Sequence, residues 1–145
     1  MTIDKSGQWW RGTEAADIEE YLGAFSASNY PVARIVHARC AKCDGSVFSI
    51  RIDDDEGCAQ RTCVNCGDHH LMLDSNESIE DANLDDAACP CGNESFEAAV
   101  GFAHTGSGDI KWVYLGLRCT ADDVLGVYTD WKIDYLPADH LYQLV

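Results

Sequence analysis

Two C-x-x-C pairs stand out in this chain: Cys40-Ala41-Lys42-Cys43 and, 19 residues further on, Cys63-Val64-Asn65-Cys66. A C-x-x-C turn is tight enough to aim two thiolates at one point. Two such pairs close a tetrahedral shell of four sulfurs with no open position, the arrangement that suits structural Zn²⁺. A second and less regular set follows, made of Cys89-Pro90-Cys91 and Cys119.

The two sets align when the halves of the chain are laid side by side. Arg61-Thr62-Cys63 falls on Leu117-Arg118-Cys119, to within one residue, and Cys63-x-x-Cys66 falls on Cys119-x-x-Asp122. Upstream, Cys43-Asp44-Gly45-Ser46-Val47-Phe48 is similar to Cys91-Gly92-Asn93-Glu94-Ser95-Phe96. An internal repeat of this kind predicts two metal-stapled units in tandem. The second shell is then Cys89, Cys91, Cys119 and Asp122, and two Zn²⁺ are expected in all. Carboxylate is a legitimate zinc ligand but harder than thiolate, so the second site should bind more weakly. Two alternatives stay open for it: the three cysteines with His104 or another donor, or three free thiols with no metal.

Positioning these donors requires turns fed by strands. From Val32 the polarity alternates with period two into the first knuckle. Residues 47–52 read as a strand, 53–57 as an acidic turn, 59–62 as the return strand and 69–73 as the strand leaving the second knuckle. In the second half, strands are expected over 96–103, 111–118 and 124–131, with a loose hairpin turn at 105–109. A short closing helix is expected over 138–144, after Pro137. Ahead of the knuckles, Thr13 reads as a helix N-cap with Glu14 and Asp17 in the first turn. Ile18, Tyr21, Leu22 and Phe25 form an apolar face, and Pro31 bars continuation. The paired indoles Trp9 and Trp10 are expected to pin the N-terminus. The fold class is therefore α+β, mostly β: tandem zinc-ribbon-like antiparallel sheets with an N-terminal helix. The expected divisions are an N-terminal segment and cover helix (1–31), a first ribbon (32–74), an acidic linker with a helical turn or two (75–88) and a second, expanded ribbon (89–145).

The paired knuckles resemble the zinc-ribbon and rubredoxin-like group of small metal folds, closely over residues 40–73 and loosely over 89–130. The resemblance implies a ribbon fold. Its members serve as docking pieces in larger assemblies, or hold iron for electron transfer in the rubredoxins, so it carries no specific activity. Asp44 stands where the rubredoxin pattern has glycine, with Gly45 one later.

Charge narrows the partners. With 25 acidic against 10 basic residues the formal net charge is −15. Phosphate backbones and anionic membrane surfaces need a basic face, so nucleic acid and membrane are disfavoured. No apolar run follows a basic N-terminal region, and eight cysteines without an export signal read as ligands in a reducing, cytoplasmic setting.

The remaining candidates are weaker. Cys58 is left over as a free thiol. His69-His70 lies on a strand, where one histidine should face in and one out. Trp112, Tyr114, Tyr128, Trp131 and Tyr135 read as sheet packing, because a stacking platform for nucleic acid needs cations beside it. No Gly-rich phosphate loop, nucleophile elbow or H-E-x-x-H helix is present. The expectation is a non-enzymatic, acidic protein-interaction module, in its sharper form an inhibitor or immunity-type partner of a basic protein. The alternative is a metalloenzyme or redox protein using the irregular second site. A high-salt habitat would produce the same acidic composition.

Overall fold

The computed structural model describes residues 3–135 and 137–145. Over the described residues the chain is mostly β, with antiparallel pairing throughout the named strands and one α-helix near the N-terminus. Its strands are β1 (Ile3–Asp4), β2 (Arg11–Gly12), β3 (Val32–His37), β4 (Phe48–Asp53), β5 (Cys58–Cys63), β6 (His69–Leu71), β7 (Asp85–Asp86), β8 (Phe96–His104), β9 (Ile110–Cys119) and β10 (Leu125–Lys132). The helix α1 spans Asp17–Ser26, and short 3-10 turns span Ser75–Glu77 and Asp139–Gln143.

Both halves belong to one eight-stranded sheet, ordered β10-β9-β8-β4-β5-β6. The β4–β5 and β8–β9 hairpins meet at a single pair, Phe48 opposite Phe96. One expectation changes here. Strand β3, which leads into the first knuckle, leaves the first ribbon and pairs with β8 of the second, Ile35 opposite Gly101 and His37 opposite Ala99. It does so because β8 is longer than β4 and has a free edge beyond Phe96. The stretch 75–88, expected as a linker, is also built into the body. Ser75 is buried and its hydroxyl accepts the Ala59 N–H at 2.9 Å, while Asp85 and Asp86 pair as β7 with Ile52 and Arg51 of β4.

The period-two rule explains why β8 and β9 read as near-continuous apolar runs. Phe96, Ala98, Val100 and Phe102 face the main core, together with Val113, Leu115 and Leu117. Ala99, Ala103 and Tyr114 face the other way, toward Ile18 and Leu22 of α1. The helix approaches closely because Gly116 has no side chain. A Cβ there would lie 2.8 Å from Ile18 Cγ2. The helix starts later than Thr13 suggests. Its first residue is preceded by Ala16 with no side-chain cap, because the entry turn is held by Asp17, whose carboxylate accepts the Glu14 N–H at 3.3 Å. Of the two indoles, Trp10 does the pinning: its carbonyl accepts the Leu125 N–H at 2.7 Å and its ring meets Tyr21 edge-on at 5.5 Å, whereas Trp9 is exposed.

The sheet curls over its main core. Strand β10 lies at one end of the strand order, yet Thr129 donates to Asp54 of the β4–β5 turn at 2.6 Å and Trp131 to Asp74, just past β6 at the other end, at 3.1 Å. The C-terminal segment closes the gap: Leu73 N–H donates to the Leu144 carbonyl at 2.7 Å, and Leu141 is buried.

Because Phe48 and Phe96 join the halves inside one core, truncating either should weaken both. Phe48→Ala and Phe96→Ala should each lower stability by about 3–5 kcal/mol and move one shared denaturation transition, followed by far-ultraviolet circular dichroism and tryptophan fluorescence. Two separable transitions would show that the halves fold independently.

Candidate metal centres

The first cluster is built by two turns of matching design. At the first, Cys40 N–H donates to the Gly45 carbonyl and Asp44 N–H returns to the Cys40 carbonyl, at 2.8 and 2.9 Å. At the second, Cys63 N–H donates to the Asp68 carbonyl and Gly67 N–H to the Cys63 carbonyl, both at 2.9 Å. Each turn needs one left-handed residue after its second cysteine: Asp44 (φ 62°) and Gly67 (φ 80°). Aspartate tolerates that region better than most side chains, which is why the glycine of the rubredoxin pattern is dispensable at 44. Gly45 is needed for space instead, since a Cβ there would lie 3.2 Å from the sulfurs of both Cys43 and Cys63.

The second cluster repeats this scheme bond for bond. Cys89 N–H donates to Asn93 and Gly92 N–H to Cys89, as in the first knuckle with one residue fewer. Cys119 N–H donates to Val124 and Asp123 N–H to Cys119. Val64→Val47 recurs as Thr120→Ser95, both at 3.2 Å. The left-handed residues recur with their types exchanged, Gly92 (φ 95°) for Asp44 and Asp123 (φ 67°) for Gly67. Phe48 lies opposite Cys63 and Phe96 opposite Cys119. The tandem alignment therefore holds without the one-residue latitude: Arg61 corresponds to Leu117, and Cys66 to Asp122.

All eight expected donors come together in two groups, Cys40, Cys43, Cys63, Cys66 and Cys89, Cys91, Cys119, Asp122, with the ligand atoms of each group within 4.8 Å of one another. Sulfur separations are 3.5 Å for Cys40–Cys66, 3.4 Å for Cys43–Cys63 and 3.7 Å for Cys91–Cys119. A tetrahedron with metal–sulfur bonds of about 2.3 Å places its sulfurs about 3.8 Å apart, so both groups have the dimensions to hold a metal ion. Asp122 Oδ1 lies 3.4 Å from Cys89 Sγ and accepts the Val124 N–H at 3.2 Å. His104 is not part of the cluster. It sits at the far end of β8, bonded to Tyr142 Oη at 2.7 Å. Cys58 is buried, its thiol directed to the Ser75 carbonyl at 3.7 Å. His69 meets the Thr62 hydroxyl at 2.8 Å on the exposed side, and the half-buried His70 meets the Leu144 carbonyl at 2.9 Å.

Hydrogen bonds and burial shift Cys43 and Cys66 of the first group in opposite directions. The Asn65 side chain, then the Cys63 thiol and the Gly45 N–H, pull Cys43 down to about 6. Cys66 is pushed up to about 12: the Asp68 N–H favours its thiolate, but the hydrogen bond with Cys40, burial, and the bonds with Cys43 and Cys63 outweigh it. In the second group burial, first of all, pushes Cys89 up to about 12. Burial raises Asp122 too, but hydrogen bonds from Cys119, Val124 and Cys89 leave it below the usual carboxylate value.

One residue beside the first cluster gives little sign of itself in the sequence. Arg61 is 4% exposed, stacks over the Phe48 ring at 4.7 Å and donates to the main-chain oxygens of Val145 and Arg39. Its guanidinium lies within electrostatic reach of Cys40, Cys63 and Asp68, and its Nη1 has no partner among the described residues. The only trace in the sequence is the shared parity of Ala59, Arg61 and Cys63, which puts a charge on the inward face of β5.

No protein-family model matches the chain, and no curated protein or solved structure is detectably similar to it.

Cys66 and Cys89, at about 12, carry protons at pH 7. A metal must displace them, so loading either group should release protons, and affinity should rise as pH rises from 6 to 8. Calorimetric titration with Zn²⁺ in buffers of different ionisation enthalpy should show the release. A binding enthalpy independent of buffer would contradict it.

Proposed function

We propose that the chain is a non-enzymatic, zinc-stapled module that presents an acidic face to a basic protein, in its sharper form as an inhibitor or immunity-type partner. Zinc is favoured by the donor chemistry: seven thiolates and one carboxylate in two four-ligand groups suit a borderline-soft ion without geometric demands. Four protein ligands leave no open position for an activated water, which argues for structure over catalysis. The reading places the protein in the cytoplasm, where its thiols stay reduced.

The observation that carries the partner reading is the convergence of two acidic runs far apart in sequence. Pairing of β7 with β4 brings Asp85 and Asp86 beside the β4–β5 turn, and Asn83 N–H is fixed to Asp53 at 2.8 Å. Together Asp53, Asp54, Asp55, Asp85 and Asp86 line one groove. Arg51 pairs with Asp86 there at 3.4 Å and donates to the Leu84 carbonyl. General surface acidity, as in a high-salt habitat, would not require the acids to gather in one concave place. A groove lined by one sign of charge focuses its field and steers an oppositely charged protein.

Native mass spectrometry of the protein drawn from its own cells would identify that partner. Replacing Asp54, Asp85 and Asp86 with Asn should then slow its association roughly tenfold or more at low salt and flatten the salt dependence, with both metals retained. Unchanged association kinetics would sink the acidic-face reading. A protein that binds no partner but turns over a substrate at the second site would favour the metalloenzyme alternative.

A further inference from the structure

We infer that the two metal centres divide their roles: the Cys40–Cys43–Cys63–Cys66 centre holds its zinc permanently, and the Cys89–Cys91–Cys119–Asp122 centre is an exchangeable zinc site whose occupancy shapes a neighbouring aromatic groove. The inference rests on the metal-binding reading above and adds a regulatory asymmetry to it.

Burial does not separate the centres. Each has two buried donors, one half-buried and one exposed. The backbone hydrogen-bonding scheme is shared as well, although the Cys89 knuckle has one residue fewer than the Cys40 knuckle. The difference is chemical, and it has two independent parts. First, Asp122 replaces Cys66. A carboxylate oxygen is harder than a thiolate and is displaced more readily by water or a chelator. Asp122 is also anchored by the Val124 N–H, so the donor stays in place when the ion leaves and the site remains open to reloading.

Second, the counter-charge differs. Four anionic donors around Zn²⁺ carry a formal charge of −4 + 2 = −2 in either centre. The first has a buried cation within reach, Arg61, with one nitrogen unpartnered among the described residues. At the equivalent position the second has Leu117. Its nearest cation by sequence, Arg118, is already taken by Glu97 and Asp123. A buried anionic complex without a fixed counter-charge is less stable than one that has it.

The location gives exchange a consequence. Trp9, Tyr21, Phe25, Pro90, Val124 and Tyr128 line one groove. Pro90 lies between two donors of the second centre, and Val124 holds the Cys119–Asp122 turn through Asp122 and Cys119. Loss of the ion releases the cross-link between Cys89 and Cys91, and with it Pro90, which lines the groove together with the exposed Trp9.

The test is release of zinc from the two-zinc protein to an excess of chromophoric chelator, under a phosphine reductant. Two phases of equal amplitude are expected, differing at least tenfold in rate. Asp122→Cys should convert the fast phase to a slow one, and Cys66→Asp should convert the slow phase to a fast one. The Trp9 contribution to fluorescence, defined by comparison with Trp9→Phe, should change with the fast phase of the parent protein. A single rate for both ions, or exchanges of donor that leave the rates unmoved, would overturn the division of roles. Trp9 fluorescence that follows the slow phase would overturn the coupling to the groove. Fewer than two bound zinc ions at the outset would instead defeat the metal reading on which the inference stands.

Discussion

Crowded sulfur is the constraint that shapes this molecule. Two pairs of thiols in the first cluster stand 3.4 and 3.5 Å apart, and four ionised sulfurs at that distance repel. The surroundings relieve the repulsion unevenly: the Asn65 side chain, with the Cys63 thiol, draws Cys43 down, while at Cys66 the Asp68 N–H is outweighed by the hydrogen bond with Cys40 and by burial, which force it up. A divalent cation would relieve it for all four at once. The turns that gather the sulfurs also set where strands begin and end: Cys63 closes β5 and Cys119 closes β9, each opposite the phenylalanine that opens its hairpin. Ligand geometry and sheet register are thus one arrangement.

Repetition of that arrangement gives the fold its economy. Two hairpins of the same design meet antiparallel at Phe48 and Phe96, equivalent residues of the two units, so the junction approximates a local two-fold. Asymmetry enters through length. The longer β8–β9 hairpin offers an edge to β3 and a second face to α1, and its surplus lets the sheet curl until β10 reaches Asp54 and Asp74. The first unit contributes the acidic turn and Arg61, and the second contributes Asp122 and the aromatic groove. Duplication supplies two centres of one geometry, and substitution makes them chemically unequal.

Much of this is written locally and was readable as such. Cysteine spacing marks both clusters, and Asp122 follows from aligning the halves. Polarity of period two locates β4, β5, β8, β9 and β10 to within a residue or two, because those strands alternate cleanly or carry apolar runs. What escaped is mainly non-local. Nothing near Val32 says that β3 will seek β8 rather than its own ribbon. The acids of 75–88 look like a solvated linker until the pairing of Asp85 and Asp86 with β4 is known, and Ser75 looks like one more polar linker residue although it is buried against Ala59. Arg61 is an arginine in a strand, and only the packing of the C-terminal segment over it shows that it is inside. Thr13 has the residue type of an N-cap with acids in the turn after it, yet it loses to another local bond, the grip of Asp17 on the Glu14 N–H.

The most direct measurement is X-ray absorption at the metal edge on the protein isolated under reducing conditions. The proposed account predicts zinc at two per chain, with a first shell dominated by sulfur at about 2.3 Å and a minor oxygen component at about 2.0 Å, and loss of the oxygen component in Asp122→Cys. A shell of nitrogen and oxygen alone, or a folded protein that carries no metal, would contradict it.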